Sequence, residues 1–208
     1  MPSWRGILRR PKTPEGTPEN LTAEPPEVHE RNLWIGARVI AGTTILFFLS
    51  FVFAYFYLRS LNNAGEWRPP GIDPPDRYGA AIVVLFAGSA ASFGYAAQAA
   101  RRERGWLAAA GLALGLGLAG CVVQCFEYAH LGFGPGDGGF ASVFIGWTAF
   151  FVVFALMALY WVEILFAEGA RHRHGSGVYV PAGLGDAAFY WALLAGIGVL
   201  TWAILYLL

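Results

Sequence analysis

Long stretches of the chain carry no formal charge, and their lengths are alike. Residues 39–58 are uncharged for 20 residues, 78–100 for 23, 105–126 for 22, 138–162 for 25 and 187–208 for 22. A helix rises about 1.5 Å per residue, so about 20 residues cross the roughly 30 Å hydrocarbon core of a bilayer. Inside lipid the backbone must satisfy its own hydrogen bonds, which predicts helices. The ten-residue alternating segments of a transmembrane barrel are absent from the pattern. The predicted fold is all-α, an integral membrane bundle of five transmembrane helices over residues 33–208.

The ends of the first run fit that reading. Arg38 and Arg59 bracket it, and Trp34, Tyr55 and Tyr57 lie near its ends. Charged heads and amphipathic rings favour the membrane–water boundary. Residues 1–32 differ sharply, with six prolines, five acidic and five basic residues. Such a segment buries too little apolar surface to offset its ordering entropy, so it is expected to be an extended cytoplasmic tail. The first apolar run starts too late and is too long for a cleavable signal peptide. Arg5, Arg9, Arg10 and Lys12 then serve either as an orientation signal or as contacts to anionic headgroups or a partner.

Composition narrows the class further. At 56% hydrophobic and only 13% charged, the chain is too apolar for an ordinary soluble domain. Its 14 basic and 14 acidic residues cancel, so charge points to no nucleic-acid partner. Where the basic residues fall is more informative. With the N-terminus in the cytoplasm, that side holds ten of them, in the tail, at Arg101, Arg102 and Arg104, and at Arg171 and Arg173; the other side holds three, Arg59, Arg68 and Arg77. The positive-inside rule then places the N-terminus in the cytoplasm and the C-terminus outside.

Small residues suggest where helices approach closely. Gly88, Ser92 and Ala96 recur every four residues in the second span, Gly111, Gly115 and Ala119 in the third, and Gly196 and Gly198 lie in the fifth. They read as packing within the bundle or against another subunit.

Candidate chemistry is sparse. Haem and copper need His or soft sulfur ligands at suitable depth. His29 lies in the tail, His130 at the end of the third span, and His172 and His174 in an Arg-rich loop. None is mid-membrane, so no cofactor is expected in this chain. Cys121 and Cys125 have a spacing found in binuclear copper sites, but without neighbouring His or Met ligands they read as buried structural thiols. The sharper group is Gln124, Glu127 and Tyr128, which share one helix face at i, i+3 and i+4. A carboxyl at membrane depth needs a partner. Two readings stay open for it: a proton-linked or interface carboxylate, or a hydrogen-bonded cluster that fixes one helix against its neighbours. Glu163, one turn from the end of the fourth span, is expected to snorkel or to pair with Arg38 or Arg171.

Four features together resemble subunit III of the haem-copper (cytochrome c) oxidases in a diverged, short five-helix form. Phe47 and Phe48 precede Phe53 and Tyr55, leading to Gly65-Glu66-Trp67-Arg68-Pro69-Pro70-Gly71-Ile72; Gln124-x-x-Glu127-Tyr128 ends the third span; Ser142-Val143-Phe144 enters the fourth; and Tyr190-Trp191 opens the last. The resemblance covers residues 33–208. Departures from the family pattern are equally specific. Thr44 stands where the family has a membrane Glu, Phe151 and Phe154 stand in place of a His pair, and Ala192 and Ala195 replace a His and an Asp. The resemblance implies a non-catalytic accessory subunit of a terminal oxidase that passes electrons from cytochrome c to oxygen. Haem and copper would lie in partner subunits, the catalytic subunit I above all. This chain would contact membrane lipids and other respiratory subunits in a bacterial cell membrane, stabilise the catalytic subunit and support proton uptake. Trp67, Arg38 and Glu163 join Gln124, Glu127 and Tyr128 as structural or interface candidates. Rival readings are an accessory subunit of nitric oxide reductase or of a diverged respiratory supercomplex, and a small transporter. The sequence shows no internal repeat or midplane charge cluster to support the transporter.

Overall fold

A computed structural model describes residues 26–62, 67–173 and 178–208. Five helices account for nearly all of them: α1 (Pro26–Ser60), α2 (Asp76–Arg101), α3 (Leu107–Ala129), α4 (Gly139–His172) and α5 (Leu184–Leu207). All five are long and apolar enough to cross a membrane. The near end of the bundle is where α1 begins and α2 turns into α3. The far end is where α1 leads to α2 and α3 turns into α4.

Helix boundaries depart from the expected spans in an instructive way. α1 has 35 residues and α4 has 34, which at about 1.5 Å each is more than 50 Å, well beyond a bilayer core. Both overshoot at the near end. Residues 26–32, on the N-terminal side of the boundary drawn at residue 32, are helical. Pro26 opens the helix, where its fixed φ and missing N–H cost nothing. The remainder of the expected tail, residues 1–25 with Arg5, Arg9, Arg10 and Lys12, lies outside the described residues, as does His174.

Helices α2, α3, α4 and α5 pack in a ring, α2 against α3 and α5, and α4 against α3 and α5. Helix α1 lies outside the ring and touches only α4 and α5. Its contact is a slab of rings. Phe47 and Phe48 meet Phe154 at centroid distances of 5.1 and 5.4 Å, and Phe51 stacks on Trp147 at 5.9 Å. Phe151 meets Phe48 at 6.2 Å and Phe86 at 5.3 Å. Phe151 and Phe154 are thus part of an apolar seam between α1 and the ring. Offset and edge-to-face rings of this kind add about 0.5–1.5 kcal/mol per pair beyond their burial.

Two glycines set how closely the helices approach. A Cβ on Gly117 of α3 would stand 2.5 Å from Leu159 and 3.1 Å from the Trp191 ring, and one on Gly169 of α4 would stand 2.4 Å from Trp106. The four-residue stripes expected from sequence are only partly used. Gly88 meets Leu116 at ordinary distance and Gly198 abuts Phe151, whereas a Cβ on Gly115 or Gly196 would meet nothing within 4 Å. Spacing alone does not say which face of a Gly-rich helix meets protein.

Trp67 latches the α1–α2 connection onto the ring. It is buried, meets Tyr55 edge-on at 5.2 Å, and its carbonyl accepts the Phe140 N–H at 2.8 Å. Arg68 lies 4.5 Å over the Phe140 ring and pairs with Asp73 at 2.6 Å. The Pro-rich run around Trp67 therefore closes the start of α4.

Candidate functional site

The polar side chains buried within the bundle fall into separate groups. The largest is at the far end. Glu127 is fully buried and Gln124 nearly so. The Gln124 amide donates to one carboxyl oxygen of Glu127, and the Tyr206 hydroxyl donates to the other. Helix periodicity places Gln124 and Glu127 one turn apart on the inner face of α3. Tyr206 comes from the last turn of α5, and Gly79 of α2 makes room for it, since a Cβ there would stand 2.5 Å from the Tyr206 ring. Two helices, α3 and α5, thus meet at one carboxyl group, with α2 packed against the Tyr206 ring. Tyr128 does not join that group. Its hydroxyl donates to Thr148 of α4 at 2.9 Å, and Thr148 donates onward to the Phe144 carbonyl at 2.7 Å. The trio expected from sequence is therefore divided: Gln124 and Glu127 tie α3 to α5, and Tyr128 ties α3 to α4.

A second group occupies the near end. Arg38 forms an ion pair with Asp186 at 2.8 Å, lies 3.9 Å over the Trp34 ring and 5.1 Å from Phe189. Asp186 is in the first turn of α5, where a negative charge faces the positive end of the helix dipole. Gly183 at φ +82 turns the chain into that helix. One turn further along α5, Tyr190 and Thr44 share a buried hydrogen bond of 3.1 Å. Thr44 therefore spends its hydroxyl on an α1–α5 contact. Next to it the Trp191 indole donates to Ser89 at 3.0 Å, and Ser89 donates to the Ala113 carbonyl at 2.5 Å.

Between Trp191 and Thr201 the buried face of α5 is Leu194, Ala195 and Ile197. At about 1.5 Å per residue this is about 15 Å of apolar packing separating the two polar ends. The described side chains do not form one continuous hydrogen-bonded line along α5.

Other expectations resolve differently. The suggested pairing of Glu163 with Arg38 is corrected, because Arg38 is held by Asp186. Glu163 is exposed, and among the described residues it has no ion pair with Arg171. Helix α4 continues to His172, so Glu163 lies mid-helix, not a turn from its end. Cys121 is buried but Cys125 is exposed, which corrects the reading of both as buried thiols. Their shared helix face is wide enough to straddle the edge of the interior. His130 and His172 sit at opposite ends, bonded to the Phe126 and Glu168 carbonyls. No three His, Cys, Asp or Glu side chains among the described residues could together hold a metal ion.

Sequence reasoning missed Tyr206, Thr148 and Asp186. A signal existed for Asp186. Arg38 near a membrane span calls for a partner at the same depth, and Asp186 is the acid that begins the other helix of that end. Tyr206 and Thr148 had no comparable signal, since a hydroxyl in a span is at home without a charge partner.

Taken together, the fold and these groups define a multi-pass membrane protein whose buried polar side chains tie helix to helix. The family model for cytochrome c oxidase subunit III matches residues 22–208, all five helices included, and the chain belongs to that family. It is 26% identical over 203 residues to a probable cytochrome c oxidase subunit 3 of Rickettsia bellii, covering 90% of this chain and 70% of the relative. A protein of the same description in Rickettsia felis is 25% identical over equal shares.

Proposed function

We propose that this chain is the accessory subunit III of a haem-copper oxidase that passes electrons from cytochrome c to oxygen in aerobic respiration. The observation that carries the proposal is the family match over nine-tenths of the chain, running through all five helices. In this reading the chain holds no redox centre, and haem and copper belong to partner subunits. It packs against the catalytic subunit I among lipids of a bacterial cell membrane, stabilises that subunit and supports its proton uptake. The N-terminal tail and the C-terminus lie on opposite sides, tail in the cytoplasm, as the excess of basic residues at the near end supports.

The geometry favours stabilisation as the larger part of the role. Glu127 is tied to Gln124 and Tyr206, and about 15 Å of apolar packing along α5, between Trp191 and Thr201, separates the two polar ends. Mild-detergent purification of the tagged full chain, with identification of co-purifying subunits and a haem spectrum, tests the assignment. An oxidase catalytic subunit with its haem signature is expected. Co-purification with a nitric oxide reductase instead would overturn it. After separation from its partners the chain should be colourless; stoichiometric haem or copper lost on substituting His130 or Cys121 would contradict the placement of the centres. A reporter fused after Leu208 should be active only if it works outside the cytoplasm.

A further inference from the structure

Beside the Glu127 group lies a small cavity of about 20 Å³ among α2, α3, α4 and α5. Most of its wall is apolar, Phe86 and Phe151 included, and Gln124, Thr148, Thr201, Trp202 and Tyr206 are the lining residues that carry polar side-chain atoms. One of these has an unmet requirement. The indole Nε1 of Trp202 is buried and finds no acceptor among the described residues. Such a donor costs about 1–3 kcal/mol when left without a partner, whereas its neighbours donate elsewhere and keep free lone pairs. Thr201 donates its hydroxyl to the Ile197 carbonyl at 2.8 Å, which leaves its oxygen able to accept. Tyr206 donates to Glu127 and likewise keeps lone pairs. Gln124 commits one amide N–H to Glu127 and retains further donor and acceptor capacity.

We infer that this cavity is a binding site for a single structural water, which accepts the Trp202 indole N–H and donates to two of the three oxygens offered by Gln124, Thr201 and Tyr206. Size and chemistry agree. A water needs roughly 10–15 Å³ of such space and two to four polar partners. A cavity with purely apolar walls stays dry; the lining of this one includes Trp202, whose indole N–H is buried without an acceptor, and residues with oxygens able to accept. The second buried indole without an acceptor, Trp147, stacks on Phe51 and does not line this cavity, so the inference does not extend to it. The water joins Trp202 to the Glu127 group and adds a second hydrogen-bonded link between α3 and α5 at the far end. The inference is independent of the oxidase assignment, because it uses only groups within this chain.

The test uses the whole membrane complex that contains the chain. A cryo-electron microscopy map resolving ordered water should show one peak about 2.7–3.2 Å from Trp202 Nε1, within the same reach of an oxygen of Gln124, Thr201 or Tyr206. A map of that quality with an empty cavity, or with the indole turned to a protein acceptor, overturns the site. Ultraviolet resonance Raman spectra give a second reading. The difference between the unmodified complex and Trp202→Phe isolates this ring among the tryptophans, and its indole band should be that of a hydrogen-bonded N–H. The band of a free N–H would overturn the inference. In Thr201→Val that band should shift toward the free position, which loss of packing alone would not cause.

Discussion

The two ends of the bundle solve the same problem in opposite ways. At the far end Glu127 is wholly buried and its partners are neutral donors, Gln124 and Tyr206, one from its own helix and one from α5. At the near end Arg38 meets Asp186 as an ion pair, with side-chain exposures of 35% and 18%, on the wall of an open cavity of about 640 Å³. The difference lies in what replaces a broken contact. Water or headgroups can reach Arg38 and Asp186, so losing one partner leaves the other solvated. Bulk solvent does not reach Glu127, which is fully buried. A group so enclosed depends on its few fixed partners, and its removal strands them.

The largest effect should therefore come from Glu127→Leu. It leaves the Gln124 amide and the Tyr206 hydroxyl without their acceptor, a cost of about 1–3 kcal/mol per stranded buried group. Yield of the subunit with its complex, and the temperature at which it is released, should both fall clearly. If Glu127→Leu is as stable as the unmodified chain, the far end is not the enclosed knot described.

Next comes Tyr206→Phe, which keeps the ring against Gly79 and removes only the donor. About 1 kcal/mol is expected, seen as a smaller drop in release temperature. An effect as large as that of Glu127→Leu would mean that Tyr206, and not the carboxyl, holds the far end together.

Glu127→Gln should be milder still, below about 1 kcal/mol. The Gln124 amide can turn so that its oxygen accepts from the new side-chain NH2, while Tyr206 goes on donating to the new carbonyl. Subunit yield and oxidase turnover per haem should both stay near normal. Normal assembly with turnover abolished would show that the carboxyl moves protons, and the structural reading of the far end would be wrong.

Asp186→Asn should be the weakest of the set. A partly exposed ion pair contributes about 0–1 kcal/mol and is screened by salt. Its small loss in release temperature should shrink further at high ionic strength. A large, salt-independent loss would mean that the near end is as enclosed as the far end in the assembled complex, and the contrast between them would disappear.

Much of this was legible in the chain itself. The uncharged runs determined five spans, because a bilayer demands length and apolarity whatever the neighbours are. The i, i+3 and i+4 spacing put Gln124, Glu127 and Tyr128 on one side of α3, because helix geometry is local. The phenylalanines at positions 151 and 154 announced an apolar interior for the fourth span, and both rings pack against α1. Only the tertiary structure decided that Tyr128 turns to Thr148 and not to Glu127, that Tyr206 completes the carboxyl's shell from 79 residues away, and that Asp186, not Glu163, receives Arg38. It also decided that α1 stands outside the ring. Partner choice across helices depends on rotation and depth, and in a chain so rich in apolar and small residues many rotations bury similar surface. What selects among them is which hydroxyls, amides and carboxyls can satisfy one another at the same level of the membrane, a requirement of three-dimensional neighbours that no single stretch of sequence contains.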